Sequence, residues 1–295
     1  MDFILSPSRA WRLAILMAGS LVAGSLSGQP VYVTNAGPTV VYQVTGAGTK
    51  STYATGVGVP QGLAFDSSGN LYVSNGDLLK VTPGGAVSTL AVGAGSQGVA
   101  VGADGNIYVA NGNVIEQVTP AGVMTPFASG FAELYGLTFG QNGNLYAADG
   151  NGGTGLLYQI TPAGVVSPFA SSLGYALGLA SDSAGNFYVS DITGGNIFKV
   201  DSSGTPSVFL TGLNHPRGVS FDSSSGLLFY TQGLSATTSL YEANAAAQQF
   251  FLTGGLTNGN YTAIKLAAVP EPAAFAGLLG VGALGLVLLR RRPAR

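Results

Sequence analysis

The chain repeats itself, and that repeat sets the scale on which every local signal must be read. Gly62-Leu63-Ala64-Phe65 returns as Gly98-Val99-Ala100-Val101, Gly136-Leu137-Thr138-Phe139, Gly178-Leu179-Ala180-Ser181 and Gly218-Val219-Ser220-Phe221. The steps are 36, 38, 42 and 40 residues. A second glycine follows each leading one after 7 residues in four copies (Gly69, Gly105, Gly143, Gly185) and after 8 in the last (Gly226). Behind it come Asn70-Leu71-Tyr72-Val73, Asn106-Ile107-Tyr108-Val109, Asn144-Leu145-Tyr146-Ala147 and Asn186-Phe187-Tyr188-Val189. Gly-Asn pairs supply the positive φ angles of tight hairpins, and the β-branched and aromatic residues on either side read as strands.

Two further strands complete each unit. The third runs over Leu78 to Val81, Val114 to Val118, Leu156 to Ile160 and Ile197 to Val200. The fourth runs over Val87 to Leu90, Met124 to Phe127, Val166 to Phe169 and Ser207 to Leu210. No stretch of the body sustains a 3.6-residue period, so helical repeats are excluded. Four short antiparallel strands in about 40 residues make a blade of a β-propeller. Residues 28–268 hold six units of that length, which gives an all-β, six-bladed propeller with four-stranded antiparallel blades. Val31-Tyr32-Val33-Thr34-Asn35 matches a second strand with no first strand before it, and Tyr261 to Lys265 reads as a first strand with nothing after it. Joined in one blade, the two would close the ring and hide its edges.

The pattern P-x-G-[LV]-A-[FV]-D-x-x-G-N-[LI]-Y-V-[SA]-[ND] resembles NHL-repeat six-bladed propellers and the related streptogramin-lyase-like propellers. The resemblance covers nearly the whole body and implies a scaffold rather than an activity.

Composition narrows the chemistry. There are 46 glycines, twice the usual share, but they follow no collagen period and belong instead to the repeated turns. Cys 0 excludes disulfides, thiolate nucleophiles and cysteine-held zinc, and the single histidine, His215, excludes a multi-histidine metal cluster. No basic stripe runs through the body to track a phosphate backbone, which argues against nucleic acid as a partner.

The two ends read as addresses. Arg9 and Arg12, an apolar run Leu13 to Val22 and the small residues Ala23 to Ser27 have the order of a secretory signal peptide over residues 1–27, with an uncleaved anchor as the alternative. At the other end, residues 269–295 begin with Val269-Pro270-Glu271-Pro272. They continue through an apolar run, 273–289, that is just long enough for a transmembrane helix, and finish with Arg290, Arg291, Arg292 and Arg295. The arginines put the C-terminus in the cytoplasm and the body outside. Triplet, span and arginine cluster together resemble the PEP-CTERM sorting signal of exported bacterial proteins. That resemblance implies cleavage by signal peptidase, recognition by an exosortase-type transpeptidase, transient membrane attachment and delivery to the envelope, cell surface or medium. A plain single-span anchor is the alternative.

The spacing also says where function would sit. The first turn is held at nearly constant length, whereas the distance from turn glycine to the end of the third strand is 13, 14, 18 and 16 residues. Insertions therefore collect on the face that carries the second-to-third loops and the blade-to-blade segments, where they leave the core undisturbed. Two rings of residues are expected there. Gln61, Gln97, Tyr135, Leu177 and Arg217 precede the leading glycines at the tunnel mouth; Asn35, Asn75, Asn111, Asp149, Asp191 and Gln232 end the second strands. They form either a polar cup for a neutral or hydroxylated ligand such as a glycan, or Asx-turns closed on their own backbone. Asp66, Asp182 and Asp222 on the opposite face read as turn formers.

Two classes of function follow. One is a non-enzymatic surface or matrix module that binds an envelope protein or glycan, with no cofactor. The other is a secreted lyase or lactonase using His215 as base, or a central metal. For Ca²⁺ the candidate oxygens are those of Asn75, Asn111, Asp149 and Asp191.

Overall fold

A computed structural model describes residues 29–234, 238–256 and 262–264. The addresses at residues 1–27 and 269–295, including the 273–289 run, lie outside the described residues, as do Tyr261 and Lys265. The repeat becomes six four-stranded antiparallel sheets. Blade 2 is β4 (Leu63–Phe65), β5 (Leu71–Ser74), β6 (Gly76–Val81) and β7 (Val87–Gly95); blade 3 is β8 (Val99–Val101), β9 (Ile107–Asn111), β10 (Val114–Val118) and β11 (Met124–Ser129). Blade 4 is β12 (Leu134–Phe139), β13 (Leu145–Asp149), β14 (Leu156–Ile160) and β15 (Val166–Ala170). Blade 5 is β16 (Ala176–Ser181), β17 (Phe187–Asp191), β18 (Asn196–Val200) and β19 (Pro206–Leu210). Blade 6 is β20 (Pro216–Asp222), β21 (Leu227–Gln232), β22 (Thr238–Ala243) and β23 (Gln249–Leu256).

Blade 1 is built from both ends of the body. β1 (Val31–Asn35), β2 (Val40–Val44) and β3 (Lys50–Thr55) take β24 (Thr262–Ile264) as their innermost strand, in the order β24-β1-β2-β3. Val31 pairs with Ile264 and Val33 with Thr262. The expected closure is therefore present. It is backed by an apolar interface in which Val31, Val33 and Val44 of blade 1 meet Leu227, Phe229, Leu240 and Leu256 of blade 6. At about 1.5–3 kcal/mol per buried side chain, parting that interface costs on the order of 10 kcal/mol, comparable to the whole net stability of a domain. Opening the ring and unfolding it are close to the same event.

Each of the other five blade-to-blade interfaces carries a cluster of the same kind. Because a blade is covered on both faces, the second strands are buried along their length, and their sequences run apolar without alternation until the closing Ser74, Asp149 or Ser190-Asp191. The repeated tyrosine has a packing role in most blades. Tyr32, Tyr108, Tyr146 and Tyr188 meet Tyr53, Phe127, Phe169 and Phe209 of their own outer strands edge-on, with ring centroids 4.8–5.2 Å apart.

Those four aromatic partners stand at β-bulges. In all six blades the register between third and fourth strands shifts at an outer-strand residue, Tyr53, Leu90, Phe127, Phe169, Phe209 or Leu252, and in blades 2 and 6 it shifts a second time. The bulge twists the outer edge and, with Pro126, Pro168 and Pro206 in three of the outer strands, discourages edge-to-edge pairing with another molecule.

Around the axis the leading glycines are required by close approach. A Cβ on Gly62, Gly98 or Gly178 would collide with the carbonyl oxygen of Gln97, Tyr135 or Arg217 in the next blade. Hydroxyls stitch these joints. Ser74 Oγ accepts from Gly62 N at 2.9 Å and donates to Gln97 O at 2.5 Å, and Ser190 Oγ does the same between Gly178 N (2.8 Å) and Arg217 O (2.5 Å). Where blade 3 has Ala110 at that position, Gly98 N reaches Tyr135 O directly at 2.8 Å.

Candidate binding site at the central mouth

First strands start at the loop-rich face and end at the first turns, so the residues before the leading glycines ring one end of the axis. Gln61, Gln97, Tyr135, Leu177 and Arg217 line a single cavity of about 400 Å³ there, together with Tyr175, Ile192 and Thr193. Five blades thus contribute to one mouth, on the face where loop lengths vary. Ile192 and Thr193 come from the β17–β18 loop.

The side wall between blades 4 and 5 is a hydrogen-bonded cluster. Glu133 Oε1 accepts from Tyr135 OH at 2.5 Å and from Tyr175 OH at 2.7 Å, while the two hydroxyls lie 2.7 Å apart. The rings are tilted at 49° with centroids 5.7 Å apart. Burial, then the Glu133 and Tyr175 hydrogen bonds, push the Tyr135 phenol far above its usual range. Burial also raises Tyr175. Both phenols therefore stay protonated at any physiological pH. Gly150 makes the cluster possible: its N donates to Glu133 O at 3.0 Å, and a Cβ there would stand 3.0 Å from the Tyr135 ring and 3.2 Å from that of Tyr175.

Sequence reasoning found Tyr135 but missed Tyr175 and Glu133. Both stand three residues before a leading glycine (Gly178 and Gly136), and that position holds Val59, Gly95, Glu133, Tyr175 and His215 around the ring. It has no shared identity for the eye to catch. His215, which stands at the same offset, drew attention only as the single histidine beside the mouth.

The ring at the second-strand ends behaves otherwise. Asn75, Asn111, Asp149 and Asp191 do not line the cavity. They hold down the segment that enters their own blade, 16 to 18 residues upstream. Asn75 Nδ2 donates to Val57 O at 2.8 Å and Asn111 Nδ2 to Gly93 O at 3.3 Å. Asp149 accepts from Ala132 N and Glu133 N, both at 2.8 Å, and Asp191 from Tyr175 N at 2.9 Å. Gln232 takes the same part, accepting from Asn214 N at 2.9 Å. Asn75 and Asp191 also cap their own turns, through Asp77 N (3.0 Å) and Gly194 N (2.9 Å). Of the two roles expected of this ring, a ligand cup or turns closed on the backbone, the bonds seen are to backbone, and those of Asp149 and Asp191 hold the segments that carry Glu133 and Tyr175.

The side chains considered for calcium are engaged in these hydrogen bonds. The two carboxylates are sunk among N–H donors, and the two amides point their nitrogens at carbonyls. Among the described residues no group of three or more histidine, aspartate or glutamate side chains converges on a point where a metal would sit. His215 takes a positive φ of 50° before Pro216, and its Nδ1 lies 2.8 Å from Asn214 Oδ1. It is not among the residues lining the mouth.

No family model matches the chain, and no curated protein matches it in sequence. Solved structures do match in shape. A nidogen–laminin complex aligns over 82% of this chain and 100% of the matched chain, with a TM-score of 0.72 at 17% identity. A streptogramin B lyase aligns over 78% and 80%, with a TM-score of 0.60 at 14% identity. A gluconolactonase from Xanthomonas campestris aligns over 68% and 78%, with a TM-score of 0.58 at 18% identity. At these identities the likeness is one of fold, and it spans binding and enzymatic propellers alike.

Proposed function

We propose that the chain is an exported bacterial propeller that serves as a binding module at the cell surface or in the matrix, and takes a hydroxylated ligand at its central mouth. One observation carries this reading: five blades bring two amides, two neutral phenols and a guanidinium to one cavity whose remaining walls are Leu177, Ile192 and Thr193. Gln61, Gln97 and Arg217 supply donors. The phenol oxygens of Tyr135 and Tyr175, whose protons are directed at Glu133 or at each other, supply acceptors and flat apolar faces. Many modest hydrogen bonds beside exposed ring faces suit a saccharide better than an apolar ligand. Export through the signal-like segment 1–27 and sorting through Val269 to Pro272, residues 273–289 and the terminal arginines belong to the same reading, with signal peptidase and an exosortase-type transpeptidase as transient partners.

The test is calorimetric titration of the purified chain with a neutral glucan and a polyuronate oligosaccharide. Binding is expected to weaken at least tenfold in Tyr175→Ala and in Arg217→Ala while the melting temperature stays within a few degrees. Absence of binding to either saccharide, or equal binding by the variants, would overturn the proposal. A second reading, a lyase or lactonase acting through His215, is favoured by one fact: His215 shares the ring offset of Glu133 and Tyr175. It requires ligand turnover that disappears in His215→Ala. The sorting half has its own readout, because an intact mass of surface-recovered protein that still includes residues 273–295 would leave only a plain anchor.

A further inference from the structure

The ring is opened at a first turn. In blade 2, β4 and β5 pair as Leu63 with Val73 and Phe65 with Leu71, and residues 66–70 form the turn that joins them. In blade 1 the equivalent pairs are Thr262 with Val33 and Ile264 with Val31, but no turn connects the two strands. The chain instead enters the ring at Val31 and leaves it after Ile264, at the place where a first turn would stand. β24 is the innermost strand of its blade, so this exit is close to the axis. The mouth cavity lies at the other end of the same first strands. Strands of about five residues separate the two ends by roughly 17–20 Å.

We infer that the propeller is held mouth-outward: whatever grips the tail grips the face opposite the cavity, so the mouth faces partners arriving from the medium and not the surface that carries the chain. The inference rests on the reading of residues 269–295 as a tether, at least during sorting. Eight residues, 265–272, separate Ile264 from the apolar run and span at most about 27 Å.

Charge at the first-turn end is mixed, since Lys50, Lys80 and Lys199 stand at the strand ends beside the third-to-fourth turns on that side. The first turns at residues 66–70, 102–106, 140–144, 182–186 and 222–226 carry Asp66, Asp104, Asp182 and Asp222 and no lysine or arginine. The lone cation of the mouth lining, Arg217, is on the far side.

The test uses the absence of native cysteine. In the full chain, Ala268→Cys is combined with Ala103→Cys, on the first turn of blade 3, or with Asn113→Cys, on the mouth-side loop of the same blade. Ala103 and Asn113 are both exposed. Pulsed electron paramagnetic resonance between nitroxide labels should give a shorter distance for the 268–103 pair than for 268–113, by about 10 Å or more given the strand length. Equal or reversed distances overturn the proposal. Flotation of the unlabelled full chain with anionic liposomes is scored separately. Failure to float with the expected distances removes the tether reading but leaves the mouth opposite the exit; flotation with reversed distances keeps the tether and refutes the orientation.

Discussion

The two ends of the propeller axis use polar groups in opposite ways. At the first-turn end each aspartate serves its own turn: Asp66 accepts from Asn70 N and Asn70 Nδ2, both at 2.8 Å, and Asp182 accepts from Ala184 N (2.9 Å) and Asn186 N (2.8 Å). At the mouth the bonds join residues far apart in the chain, as Glu133 does with Tyr175, Ser74 with Gln97 and Ser190 with Arg217. The first turns are independent local motifs; the mouth exists only when the ring is assembled. A cavity with a tuned lining can be built at the second kind of end, because its walls come from several blades that the fold holds rigidly together.

Glycine substitution should break this contrast most sharply. Gly178→Ala at the mouth drives a Cβ into the backbone carbonyl of Arg217, which cannot yield without parting blades 5 and 6. A loss of several kcal/mol is expected, up to failure to fold, in urea unfolding. Gly143→Ala at a first turn meets open space and suffers only its φ of 78°, so about 1 kcal/mol is expected.

The carboxylates come next. Asp149→Ala strips the acceptors from Ala132 N and Glu133 N in a buried setting and should cost about 2–4 kcal/mol while loosening the Glu133–Tyr175 wall. Asp66→Ala exposes its turn to water, which replaces the lost bonds, and should cost about 0.5–1 kcal/mol with ligand binding untouched. Thermal melts and calorimetry on the same pair of variants separate the two effects.

Alkaline titration probes the first-turn end. Burial, and then the Asp66 charge, push Tyr72 up to about 12 from its ordinary value near 10. The unfolded chain loses this proton first, so the stability that Tyr72 contributes is fully present below about pH 10 and disappears as pH rises through about 12. In Asp66→Asn the phenol titrates lower, and absorbance near 295 nm would show the shift. A comparably small effect is expected at the blade joints. Ser74→Ala should cost about 1 kcal/mol, since blade 3 already makes its joint with Ala110 and a direct Gly98 N to Tyr135 O bond.

The same division explains what could be read in advance. Gly69, Asn70 and Tyr72 announce a hairpin because every bond they make is within a few residues, so blade type, strand positions and the closure of Val31–Asn35 by Thr262–Ile264 were all legible. The residues before the leading glycines could be placed at the mouth because the leading glycine fixes their offset. Glu133 and Tyr175 could not, since their meaning depends on a contact between blades 4 and 5 across 42 residues. The strand-end ring of Asn75, Asn111, Asp149 and Asp191 could be located, but its sequence left the role open between a ligand cup and bonds to its own backbone. An amide and a carboxylate look alike as ligand groups in sequence, whereas the structure uses one as donor and the other as acceptor for the same task of holding the incoming segment.

The most direct measurement is hydrogen–deuterium exchange of the full chain, free and saturated with whichever of the two saccharides binds more tightly. The account predicts new protection in residues 131–136, 173–178 and 191–194 around the mouth, with the first turns at 66–70 and 182–186 unchanged. Protection confined to those first turns, with the mouth segments exchanging as before, would contradict it.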